Sequence, residues 1–155
     1  MSTWTTHTTV TGLPDEVLDL LTEPESIRRW APIPFEVEVL RGDPSRGTPR
    51  KDGERLGAGS IARVRGGLAG RKVEFDVEVF EADDGRLSLV ATGPITLDVE
   101  YLVSPAPAGS EVQASVSVSG GKGLMGRVLA RATDALLAGG ALDTAVGRLE
   151  PALAA

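Results

Sequence analysis

The chain contains no cysteine and a single histidine. Disulfide scaffolds, thiolate metal centres and cysteine nucleophiles are therefore excluded, and so is any site built on several imidazoles. Aromatic residues make up only 4% of the 155 residues, so a large core volume would have to be filled by aliphatic side chains. Basic charge is scarce. Lys and Arg number 16 against 22 Asp and Glu, and the net charge is −6. A duplex nucleic-acid binder needs a basic face, so nucleic acid is not an expected partner. The same sum argues against docking on anionic membranes by charge. No apolar run approaches the roughly 20 residues of a spanning helix, so no membrane insertion is expected. The opening segment Met1-Ser2-Thr3-Trp4-Thr5-Thr6-His7 lacks the apolar stretch of a secretory signal, and a cytoplasmic location is the expectation.

What is present is period-2 alternation, repeated along most of the chain. Trp4, Thr6, Thr8 and Val10 alternate with Thr5, His7 and Thr9 in a first strand. Gly12-Leu13-Pro14 ends it, and Pro14 with Asp15 and Glu16 suits the first turn of a short helix carrying Val17, Leu18, Leu20 and Leu21. Thr22 and Glu25 form a capping-box pattern, predicting a second short helix through Ile27 and Trp30. Phe35, Val37 and Val39 alternate with Glu36 and Glu38 as strand two. Residues 41–57 have no periodicity and read as a long loop. Strand three is expected near 59–65. Strand four, near 72–82, sets Val73, Phe75, Val77 and Val79 against Glu74, Asp76 and Glu78. Asp84-Gly85 predicts a tight hairpin into strand five, with Leu87, Leu89 and Ala91. Strand six presents Ile95, Leu97, Val99, Tyr101 and Val103, and strand seven Val112, Ala114, Val116 and Val118.

One apolar and one polar face per strand predicts an antiparallel sheet that is wet on one side. The chain then closes on an amphipathic helix expected over about 123–150, with the stripe Met125, Val128, Ala132, Leu136, Gly139, Leu142, Val146 and Leu149. Gly139-Gly140 interrupts that pattern; a close backbone approach, a kink or room for a ligand would each account for it. A sheet that must bury one face against one long helix curls around it. The expected architecture is thus α+β, one domain over 1–155, with seven antiparallel strands gripping a C-terminal helix and two short helices after strand one.

Four stretches carry a resemblance: Val10-Thr11-Gly12-Leu13-Pro14-Asp15-Glu16-Val17, Glu25-Ser26-Ile27-Arg28-Arg29-Trp30, Leu56-Gly57-Ala58-Gly59, and Gly109-Ser110-Glu111-Val112 followed by a Gly-rich helix entry. Together with the element order they resemble the helix-grip fold of the START and Bet v 1-like (SRPBCC) superfamily, in its polyketide cyclase/dehydrase and lipid-transport branch. The resemblance implies a hydrophobic cavity between sheet and helix. It implies a lipid, polyketide or isoprenoid-like ligand, an aromatic cyclase/dehydratase activity, or a partner-binding module with a filled cavity. These alternatives share a fold and differ in the site.

The face assignments line the expected hollow with Phe75, Val77, Leu89, Leu97, Tyr101, Val116, Val128, Ala132 and Leu136, with Trp30 and Phe35 either gating its mouth or packing the short helices. Tyr101 is the inward polar group; its phenol would bond a ligand oxygen or nearby backbone. A cyclase needs polar groups aimed into the hollow, and only Tyr101, Thr133, Arg63 or Thr92 could serve. Arg63 enters only if strand three slips by one residue, which a buried face disfavours. His7 and the row Glu74, Asp76 and Glu78 fall on outer faces, where the acids can pair with Arg63 and Arg65. Gly66-Gly67-Leu68-Ala69-Gly70 and Gly120-Gly121-Lys122-Gly123 match no phosphate-binding pattern. Neither a cofactor nor a metal is expected, and the expected partner is a small hydrophobic molecule.

Overall fold

A computed structural model describes residues 2–23, 35–41, 57–68, 71–83, 85–120 and 123–154. Seven strands form one antiparallel sheet: β1 Ser2–Val10, β2 Phe35–Arg41, β3 Ile61–Leu68, β4 Arg71–Asp83, β5 Arg86–Thr92, β6 Thr96–Ala106 and β7 Gly109–Ser119. Helix α1 spans Pro14–Thr22 between β1 and β2, and α2 Gly123–Ala138, α3 Ala141–Gly147 and α4 Leu149–Ala154 close the chain. The sheet order is β1-β7-β6-β5-β4-β3-β2. From β2 to β7 each strand pairs with its neighbour in sequence, and β1 joins the far edge beside β7.

Alternation sets the faces as expected. Phe75, Val77 and Val79 of β4 are buried and Val73 is half-buried, whereas Glu74, Asp76 and Glu78 are exposed. Beyond Val79 the alternation would turn Glu81 inward. A bulge at Phe80 prevents this: Val79 pairs with Leu89 but Glu81 pairs with Ser88. The extra residue shifts the phase, so Ala82 is buried in place of Glu81, and Phe80 stays exposed on the outer face. The hairpin from β4 to β5 turns at Gly85, whose φ of 75° falls in the left-handed region.

The outer face carries charge. Arg65 Nε lies 2.9 Å from Glu74 Oε2, and Arg63 Nε lies 3.1 Å from Glu74 Oε1 and 3.3 Å from Asp76 Oδ1. Arg63 is therefore outside the hollow, as the unslipped register requires. His7 is exposed opposite Gln113.

Two helical expectations are corrected. Thr22 closes α1 instead of opening a second helix. It is fully buried, and its hydroxyl donates to the Leu18 carbonyl at 2.8 Å. The rest of that second helix lies outside the described residues, as do most of the 41–57 loop and the Gly-rich pairs 69–70 and 121–122.

The helix expected over 123–150 is divided. It breaks after Ala138 at Gly139-Gly140, and Gly140 adopts φ 95°, ψ 19°. This conformation ends α2 and redirects the chain into α3, so of the three accounts of the glycine pair the kink is the one seen. A residue with a Cβ is strained there by about 1–2 kcal/mol. Gly140→Ala is accordingly expected to lower the unfolding free energy by roughly that amount in urea titration. A gain in stability would show that the break is dispensable.

Carboxylates on the closing helices tie them to β1 and the turn after it. The Trp4 indole N–H donates to Asp134 at 3.4 Å, the Thr6 hydroxyl donates to Asp143, and Thr11 donates to Glu150 from its backbone N–H at 2.9 Å and from its hydroxyl. The two Thr11 bonds hold the Glu150 carboxyl below its usual range. The Ser110 hydroxyl, fully buried, donates to the Gly12 carbonyl at 2.7 Å and fastens the turn before α1 to β7.

Candidate functional site

A cavity of about 260 Å³ lies between the concave face of the sheet and the closing helices. The sheet contributes Val37, Ala62, Val64, Phe75, Val77, Leu87, Leu89, Ala91, Val99, Tyr101 and Val116. These are the inward residues of β2 through β7, brought together because the period-2 faces of six strands coincide. Leu21 of α1 closes one part of the wall, and Leu137, Ala141, Leu142 and Ala145 close the helical side.

Five residues expected from sequence stand in this wall: Phe75, Val77, Leu89, Tyr101 and Val116. Leu97 faces the same way but packs against the core beyond the cavity. Trp30 lies outside the described residues, and Phe35 is placed as the first residue of β2 with its side chain outside them.

The three helical candidates are displaced. Val128 is 45% exposed, Leu136 is 40% exposed and Ala132 is half-buried; none lines the cavity. The face of α2 turned to the sheet is Gly126, Leu129 and Thr133, with Leu137 following one turn later. The buried face carries the small Gly126 and Thr133, while the more apolar stripe beside them stays outside. Sequence reasoning followed the most hydrophobic stripe and so missed Leu137. Ala141 and Ala145 were missed because the break at Gly140 resets the phase of the helix that carries them. The break itself was the available signal.

Tyr101 is the one polar side chain among the described lining residues. It is 4% exposed, and burial raises its phenol well above the usual range, so the group stays neutral at ordinary pH. Of the other polar candidates, Thr133 donates its hydroxyl to the Leu129 carbonyl at 2.8 Å, Thr92 is exposed, and Arg63 is on the outer face. Among the described residues no cluster of His, Asp or Glu is arranged to hold a metal. No helix among them is long and apolar enough to cross a membrane. The arrangement can bury an apolar molecule against a wall in which Tyr101 is the one residue with a polar group.

A family of known proteins matches this chain over residues 1–154, that of polyketide cyclases/dehydrases and lipid transport, and the chain belongs to it. Solved structures agree on the fold. The chain is similar to TTHA0849 from Thermus thermophilus, with 17% identity, a TM-score of 0.72 and coverage of 98% of this chain and 97% of that one. It is similar to a START superfamily protein from Mycobacterium smegmatis, with 15% identity, a TM-score of 0.68 and coverage of 97% and 96%. It also matches the allergen Ara h 8.0201, a Bet v 1 relative, with 14% identity, a TM-score of 0.61 and coverage of 96% and 97%. None of the curated proteins matches the chain. The fold is therefore the helix-grip fold of the START and Bet v 1-like superfamily.

Proposed function

We propose that the protein binds or carries a small, uncharged, largely apolar molecule in the cavity between sheet and closing helices. The observation that carries this reading is the lining, which is aliphatic and aromatic apart from the neutral Tyr101 hydroxyl. The membership of a family that includes lipid transport agrees with it. A volume of about 260 Å³ is close to the lower end of ligand pockets, about 300–1,000 Å³, so the ligand is small. Turnover of the cyclase or dehydratase kind would need several polar groups converging on the substrate. The described lining offers one.

The charge of the ligand follows from the same wall. A carboxylate taken from water into an apolar site without a cationic partner loses its hydration uncompensated and protonates instead. No described lining residue is cationic. The test compares a medium-chain alkanol with the alkanoic acid of the same length by titration calorimetry. Alkanol affinity is expected to stay flat between about pH 5 and pH 8. Alkanoic acid affinity is expected to fall by about tenfold per pH unit above its pKa, about 4–5, because only the neutral acid enters. Equal binding of both at the higher pH would overturn the uncharged-ligand reading, and binding of neither would overturn the cavity as a binding site.

A further inference from the structure

The outward half of α2 has no role in the core, yet it is apolar. Leu124 is 79% exposed, Met125 42%, Val128 45% and Leu136 40%. At 100° per residue these four lie together on one side of the helix, next to the face that Gly126, Leu129 and Thr133 turn to the sheet. Clustered apolar exposure of this kind marks an interaction surface, whereas isolated apolar residues need no account.

The charges beside it identify the partner. Although the chain is acidic overall, the stretch from Glu111 to Asp134 contains Lys122, Arg127 and Arg131 and no acidic residue between those two ends. Arg127 and Arg131 are exposed and one turn apart, along the solvent edge of the Leu124–Val128 side. Asp134, the first acid reached, receives the Trp4 indole N–H. A helix with an apolar face bordered by arginines is built to lie in a membrane interface, its aliphatic side chains among the acyl chains and its guanidinium groups at the head groups.

We infer that α2 docks the protein on anionic lipid surfaces, through Leu124, Met125 and Val128 with Arg127 and Arg131. A second copy of the chain fits less well. A two-fold contact would bring the arginines of both copies together, and the one acid beside them, Asp134, already accepts the Trp4 indole N–H. The net charge of −6 argues against docking only as a sum over the whole surface; charges beyond a Debye length of about 8–10 Å are screened, and the local basic patch on α2 is what a bilayer meets. The surface also runs toward the cavity: Leu136 belongs to it, and its neighbour Leu137 lines the wall.

The test is flotation of the full chain with vesicles of phosphatidylcholine and phosphatidylglycerol in equal parts, beside vesicles of phosphatidylcholine alone. Binding is expected to the mixed vesicles only and to weaken as salt is raised. Arg127→Glu with Arg131→Glu is expected to reduce it by at least about twenty-fivefold, at about fivefold for each basic residue lost. Leu124→Ser with Val128→Ser is expected to reduce it by about tenfold or more. All four side chains are exposed, so both variants should keep the circular dichroism of the parent. Failure of the parent chain to float with the mixed vesicles would overturn the inference. So would wild-type flotation by either double variant. A concentration-dependent dimer that Leu124→Ser with Val128→Ser dissociates, in a protein that ignores the vesicles, would assign the face to a second copy and equally overturn it.

Discussion

Replacing Ala141 by tryptophan is expected to weaken uptake of an uncharged solvatochromic dye by about one to two orders of magnitude while leaving the fold intact. Ala141 is the first residue of α3, half-buried, with its side chain on the cavity wall. An indole there occupies the space a ligand needs, yet the position retains enough exposure to let the backbone stay where it is. The wild-type protein should shift the dye emission to the blue on binding. In Ala141→Trp the affinity should drop roughly 10- to 150-fold, because excluding one aromatic-sized group from an apolar site forfeits about 1.5–3 kcal/mol. Since an indole at a half-exposed site can swing outward, Ala145→Phe provides the second arm. Ala145 is 3% exposed on the next turn and lines the same wall, so its larger side chain has only the cavity to enter. Unfolding transitions by circular dichroism should remain cooperative in both. If both variants fold and take up dye as the parent does, the cavity is not where apolar molecules bind.

The choice of Ala141 and Ala145 shows where sequence reasoning succeeded and where it stopped. The sheet was legible almost residue by residue. One face of it is wet and one dry, so the period-2 pattern states the orientation of every side chain, and a one-residue error would expose Phe75, Val77 and Val79 together. The inward faces of β4 to β7 followed directly, although the expected lining left out Leu87, Ala91 and Val99 and included Leu97, which packs beyond the cavity. The bulge at Phe80 was not legible, because an extra residue in the ladder leaves only a local break in alternation.

The helices were less legible for a physical reason. An amphipathic helix announces its buried face only when the rest of its surface is polar. In α2 the apolar arc continues well past the buried face, from Leu129 round to Leu124, and apart from the buried Thr133 polarity is confined to Arg127, Arg131 and Asp134. Periodicity then identifies a helix without saying which part of the arc meets the sheet. The stripe through Val128, Ala132 and Leu136 was the natural reading; the buried positions are instead Gly126, Leu129 and Thr133. The excess of apolar surface that misled the assignment is the same surface that, once the face is known, calls for a partner.

The second large effect expected is a contrast between two leucines. Leu149 is fully buried at the start of α4 and does not line the cavity, so its side chain is surrounded by packed atoms. Leu89 on β5 is also turned inward, between Val79 of β4 and Val99 of β6, but it borders the cavity. Truncating a packed leucine removes its transfer free energy and leaves a new void, and both terms count. Truncating one that already faces empty space removes fewer contacts, because atoms on the void side had no partner to lose. Leu149→Ala is therefore expected to cost roughly 3–5 kcal/mol in urea unfolding, and Leu89→Ala about 2 kcal/mol or less. The gap should narrow in ligand-saturated protein. A bound molecule that touches Leu89 fills the void, so Leu89→Ala then also loses binding free energy that Leu149→Ala retains. Equal costs in the free protein would mean that the space beside Leu89 is filled by protein. Addition of an apolar ligand that leaves the Leu89→Ala deficit unchanged would place the ligand elsewhere.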